Sequence, residues 1–125
     1  MRKLFRSSVL VFIVFFLVFL VGQASLKNFY SQDDPYYHAR HSALINETGD
    51  LTYLQPWLTM HFLSASPTDP WWGYHVLMAG FIRFFGVVWG SKIFSALLAA
   101  LTFAIFYAIL RQAKVARSLL WTVLF

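Results

Sequence analysis

The residues of this chain that could do chemistry gather in one stretch, Ser31-Gln32-Asp33-Asp34-Pro35-Tyr36-Tyr37-His38-Ala39-Arg40. Two adjacent carboxylates suit a hard divalent cation, Mg²⁺ or Mn²⁺, which takes oxygen ligands and commonly bridges to phosphate. Asp34 and Asp33 are the candidate metal ligands. A structural reading of the same residues stands beside this one. Asp34 can accept a backbone N–H at a helix start and Pro35 can fill the first helical position, where no N–H is needed, while Asp33 is a solvated charge favoured by the helix dipole. One side chain can do both. His38 and His41, three positions apart, could join Asp34 around zinc. With Tyr36 and Tyr37 they read more simply as interfacial anchors whose polar ends reach water or headgroups.

A helix must carry these groups, and the pattern predicts one over 35–48, closed by Gly49 in the left-handed conformation that ends helices. Tyr36, Arg40 and Leu44 fall on one face and Tyr37, His41 and Ile45 on the next. Such a helix lies near a membrane surface rather than across it. The Asn46-Glu47-Thr48 triplet matches a glycosylation acceptor and is most simply a chance match.

The wider composition says what surrounds the stretch. Of 125 residues, 59% are hydrophobic and 12% charged, against soluble norms of roughly 45–50% and 25%. The chain is therefore expected to be an all-α integral membrane protein. Its acids (Asp33, Asp34, Glu47, Asp50, Asp69) lie in the middle, and its bases concentrate at the N-terminus and around Arg111 to Arg117. The net charge of +5 does not imply nucleic acid, because no basic stripe lies on a soluble face. Without cysteine, disulfides and thiolate metal sites are excluded.

In order, 1–6 form a cytoplasmic N-terminus with Arg2, Lys3 and Arg6, and 7–26 form a first transmembrane helix, about 20 residues and enough for a ~30 Å core. By the positive-inside rule its end is external. A cleaved signal peptide is the competing reading, since Gly22-Gln23-Ala24 suits a signal peptidase, but the apolar run is long for that role. Residues 27–90 form a long external loop with the helix 35–48 and an interfacial helix 71–89. Arg83 sits near the centre of the latter, where a charge would cost about 2.5–3.5 kcal/mol on insertion scales. His75, Ala79, Arg83 and Gly86 make a small or polar stripe opposite Leu77, Phe81, Phe84 and Val88, the pattern of an interfacial helix. A second transmembrane helix covers 91–110, a cytoplasmic loop 111–117, and the start of a truncated third span 118–125. Were 71–89 to cross, Arg111, Lys114 and Arg117 would lie outside, against the positive-inside rule. Ala96, Ala100, Ala104 and Ala108 form a smooth row that calls for a packed partner helix. Eight residues of final helix rise about 12 Å, short of the core, so the chain reads as a fragment.

The string Asp34 to Arg40, "DPYYHAR", resembles the first external loop of the catalytic subunit of oligosaccharyltransferases, especially prokaryotic ones, within the GT-C superfamily of membrane glycosyltransferases. The order of a preceding span, Asp69-Pro70-Trp71-Trp72, Tyr74-His75-Val76-Leu77 and a second span is similar too. The resemblance implies a GT-C-type N-terminal portion of an enzyme that moves a glycan from a polyprenyl-phosphate-linked donor to an asparagine of an acceptor protein. It implies Asp34 as the catalytic, metal-binding carboxylate, with Asp33 second, and Mg²⁺ or Mn²⁺ as the cation. Further helices and a soluble domain would have to follow, so this fragment alone is expected to be inactive. The expected location is the inner or plasma membrane, multi-pass, with 27–90 on the external or periplasmic side. Arg40, His75 and Arg83 are candidates to contact the donor pyrophosphate, the arginines through two-point pairing. Facing water or headgroups is the simpler role for all three, and Asp69-Pro70 reads as a second helix cap. Two alternatives stand beside this reading: a GT-C enzyme acting on a lipid or surface polymer, and a non-catalytic small membrane subunit or truncated remnant.

Overall fold

The structure, a computed structural model, describes residues 2–26, 34–51 and 69–125. Asp33 and most of the aromatic loop, including Tyr53, Trp57 and His61, lie outside the described residues. Those described form four helices and no strand: α1 (Arg2–Ser25), α2 (Asp34–Thr48), α3 (Trp72–Gln112) and α4 (Ser118–Leu124). Two of them, α1 and α3, are long and apolar enough to cross a membrane. The chain divides into two units, Met1–Ser25 with Ser95–Phe125, and Leu26–Phe94.

In the first unit α1 packs on the distal part of α3. Phe15 stacks on Phe103 with ring centres 4.3 Å apart, and Phe19 leans on the same ring at 5.5 Å. Ala96, Ala100 and Ala104 of the alanine row are buried, because side chains this small let helices approach closely. After Gln112 the chain turns through a Schellman arrangement. The N–H of Val115 reaches the carbonyl of Leu110 and that of Lys114 the carbonyl of Arg111, with Lys114 itself left-handed at φ 56°. On α4, Thr122 is buried and bonds back to the carbonyl of Ser118, which satisfies its hydroxyl within the helix. Leu10, Leu17, Val18 and Val21 stay more than half exposed, an outward apolar face suited to hydrocarbon rather than water.

The second unit differs from the sequence expectation first in where the long helix breaks. A helix over 71–89 followed by a span from 91 places the boundary near Gly90, whereas the structure breaks α3 at Gly86, with φ 75° and ψ 168°. Only glycine occupies that region without strain. The break makes a hairpin of two arms, 72–85 and 87–112. Gly90 then lies against the backbone of Ile82, where an added Cβ would sit 2.6 Å from the Ile82 Cα. Gly90 is thus a contact rather than a stop. The first arm is roughly 20 Å long, too short to cross; the second, at roughly 39 Å, exceeds the core thickness. Phe94 seals the hairpin, packing edge-on to Tyr74 at 5.2 Å and tilted to Phe81 at 5.3 Å.

The stripe on the first arm is also used differently. Its small and polar members His75 and Ala79 are buried with Met78 and Ile82, while Leu77 and Phe84 face outward at 61% and 81% exposure. Arg83 is exposed. The narrow stripe is where other elements pack, and the apolar side is left for the surroundings.

Substitution at two glycines separates contact from propensity. Gly90→Ala must push Ile82 away and should destabilise by about 1–3 kcal/mol, the usual range for overpacking. Gly80→Ala, with nothing within 4 Å of its Cβ, should be neutral or stabilise by up to about 1 kcal/mol. Thermal unfolding in detergent checks both; equal effects would contradict the hairpin.

Candidate histidine and carboxylate site

The site starts from a helix cap. Asp69 precedes α3, its Oδ1 accepting the N–H of Trp71 at 2.9 Å and its backbone carbonyl that of Trp72 at 3.1 Å. This satisfies donors that the first turn leaves unpaired. The other carboxylate oxygen, Oδ2, accepts a hydrogen bond from Nδ1 of His75 at 2.5 Å, and the far nitrogen of that ring, Nε2, lies 2.7 Å from Nδ1 of His38 on α2. His75 is fully buried. The Asp69 side chain is 7% exposed.

α2 can come this close because Ala39, Ser42 and Ala43, all buried, present little bulk. Ser42 returns its hydroxyl to the carbonyl of His38. A second tie joins Asn46 Nδ2 to the carbonyl of Ala79 at 2.7 Å. The helix then ends at Gly49, at φ 72° with its N–H on the carbonyl of Ile45, and Trp72 Nε1 bonds the carbonyl of Leu51. Around the imidazoles the aromatic rings stand edge-on: Trp71 and Tyr74 to His38 at 5.4 and 5.1 Å, Tyr37 to His75 at 5.8 Å. Edge-to-face packing of this kind is the favoured arrangement for ring quadrupoles.

Proton positions follow from the partners. A carboxylate only accepts, so His75 Nδ1 carries a hydrogen; its Nε2 then accepts from His38 Nδ1–H. Burial pushes the His75 imidazole down to about 4 against the opposing pull of Asp69, and burial likewise lowers His41, again opposed by Asp69. Both rings are neutral at pH 7.

Nitrogens of His41 and His75 and an oxygen of Asp69 lie within 4.8 Å of one another, close enough to suggest a shared metal. Ring orientation argues against it. His41 is stacked on His75 at 4.1 Å and 16°, and a ligated ion lies in the ring plane roughly 2.0–2.1 Å from nitrogen. An ion in the plane of one ring is therefore far out of the plane of the other. His41 Nε2 is 3.6 Å from Asp69 Oδ2, beyond hydrogen-bond distance. Within this trio the geometry is that of a hydrogen-bonded line with a stacked neighbour.

Of the sequence candidates, Asp34 opens α2, though the placement of its carboxylate, like all of Asp33, lies outside what is described. Arg40, His75 and Arg83 are not brought together. Arg40 pairs with Glu47 at 2.8 Å, both side chains more than half exposed, a pairing of little energetic weight. His75 lies at the centre of the buried line. The expectation that both histidines reach water or headgroups is corrected for His41, which is 3% exposed because it lies over His75. Sequence reasoning assigned Asp69 only a cap and overlooked Lys92, which is buried and donates to the carbonyl of Leu26 at 3.2 Å. A histidine six residues after an Asp-Pro cap was the available sign for Asp69. No sign showed that His38 and His75, 37 residues apart, are neighbours.

Compared with protein-family models, curated proteins and solved structures, the chain has no significant match.

Replacing His75 by Phe keeps the bulk and removes both hydrogen bonds, so the buried Asp69 Oδ2 loses its imidazole donor. The expected cost is roughly 1–3 kcal/mol, read as about 10- to 100-fold faster amide exchange over residues 39–45. Unchanged exchange by mass spectrometry would show that this line does not hold α2.

Proposed function

We propose that this chain is the N-terminal part of a membrane glycosyltransferase similar to the oligosaccharyltransferase catalytic subunit, moving a glycan from a polyprenyl-phosphate-linked donor to protein asparagine. The carrying observation is that α2 begins at Asp34, at the Asp-Pro-Tyr string, directly after a helix long and apolar enough to span. Two hydrogen-bonded ties to the first arm of α3 support a fixed position for that helix start. In this reading 27–90 is external, and Asp34, with Asp33 beside it, supplies carboxylate ligands for Mg²⁺ or Mn²⁺. The cation, when bound, neutralises charge on the leaving pyrophosphate. Exposed Arg83 is available to donor phosphate, and Arg40 becomes so on releasing Glu47.

The test uses the chain itself in lipid nanodiscs with a polyprenyl-diphosphate-linked sugar. Binding should require Mn²⁺ or Mg²⁺ and fall at least tenfold in Asp34→Asn, with helicity unchanged by circular dichroism. Donor binding indifferent both to the cation and to Asp34→Asn would overturn the assignment.

A further inference from the structure

All the charge of the first unit is of one sign. Its two segments carry six bases (Arg2, Lys3, Arg6, Arg111, Lys114 and Arg117) and no Asp or Glu. Arg6, Arg111, Lys114 and Arg117 are exposed, and none of the four is in an ion pair among the described residues. The ring contacts put these four at one end of the unit. Phe103 of α3 meets Phe15 and Phe19 of α1 and also Phe125, which fixes a common level. The groove between α1 and α3 extends to Phe5 and Ala108, so these two helices run antiparallel. From the level of Phe103, helical rise carries α3 roughly 12 Å onward to Arg111, α4 roughly 12 Å back to Arg117 and α1 roughly 14–20 Å back to Arg6.

Beside these cations α1 and α4 leave a groove of about 470 Å³ between them. Its walls are Leu10, Val14 and Val18 of α1 and Leu119 and Val123 of α4, each at least half exposed. No polar residue lines it. Arg6 stands one helical turn before Leu10, and Arg117 precedes Leu119 by two residues, so each wall begins beside a guanidinium. An apolar channel with cations at one end is complementary to a hydrocarbon chain that carries an anion, and guanidinium groups pair with phosphate at two points. A second copy in the same orientation would instead set like charges side by side, which an interface disfavours.

We propose that the first unit binds an anionic phospholipid, its acyl chain in the groove between α1 and α4 and its phosphate between Arg6 and Arg117. A net negative headgroup is selected over a zwitterionic one because Arg111 and Lys114, at the same end, repel a headgroup ammonium. The inference requires only that the long apolar helices lie in a bilayer, and it is independent of the proposed glycan transfer.

The chain in detergent, mixed with equal amounts of phosphatidylglycerol and phosphatidylcholine of the same acyl composition, is read by native mass spectrometry. Phosphatidylglycerol should be retained about tenfold over phosphatidylcholine, and Arg6→Gln and Arg117→Gln should each lower that retention about tenfold, the usual weight of a charge-assisted hydrogen bond. Arg111→Gln should leave it nearly unchanged. Val14→Trp fills the groove and keeps every cation, so it too should release the lipid, whereas a large excess of glycerol phosphate, a headgroup without chains, should not. Equal retention of the two lipids, or retention indifferent to Val14→Trp, would overturn the proposal. Displacement by glycerol phosphate, or a loss in Arg111→Gln as large as that in Arg117→Gln, would reduce the site to diffuse surface attraction and overturn it equally. A dimer that excludes the lipid would assign the groove to a second copy. Circular dichroism checks that each variant keeps its helicity, and Val123→Trp, on the opposite wall, repeats the groove test if Val14→Trp loses it.

Discussion

One buried carboxylate sets the terms for the second unit. The Asp69 side chain is nearly inaccessible, and among the described residues the groups that hydrogen-bond to its carboxylate are the Trp71 N–H and the ring of His75. A charge taken from water at that cost is tolerated only when its lone pairs are filled. Filling them orients His75, and His75 in turn takes hold of His38. A cap that would ordinarily serve one helix thereby ties together two.

The second constraint is steric. The break at Gly86 turns α3 back on itself, and Gly90 lets the arms meet at backbone distance from Ile82. With side chains at either position the first arm could not fold back so closely. His75, Ala79 and Ile82 would then lose the packing that buries them, and the amide of Asn46 would lose the carbonyl of Ala79. The backbone freedom of Gly86 and the missing side chain of Gly90 are what shape the face on which His38 and Asn46 of α2 find their partners. The outward surface meanwhile keeps large apolar side chains such as Leu77 and Phe84, while the imidazole, hydroxyl and amide contacts of α2 are made within the protein.

Much of the helical pattern was legible in the residues. The run of apolar residues in α1, the Asp-Pro start of α2, Gly49 at its end and the alanine row of α3 each follow from local rules: length against a bilayer, capping, left-handed termination and close approach of small side chains. The break in α3 was harder. Gly86 and Gly90 are both candidates for interrupting a helix, and only the packing of Gly90 against Ile82 decides between them. The stripe of small and polar residues on the first arm was recognised, but its orientation was not, because periodicity defines a face without saying what lies against it.

The same limit governs the candidate site. By itself the sequence determined which groups are capable of chemistry, where the helix carrying them begins, and that long apolar helices flank it, since each of these depends on residues close together in the chain. Only the tertiary structure decided that His38, His75 and Asp69 form one hydrogen-bonded line and that His41 is stacked beside it. The contacts of His38 and His41 with His75 join segments more than thirty residues apart, and the free energy of satisfying a buried polar group is settled by whatever partner folding brings to it.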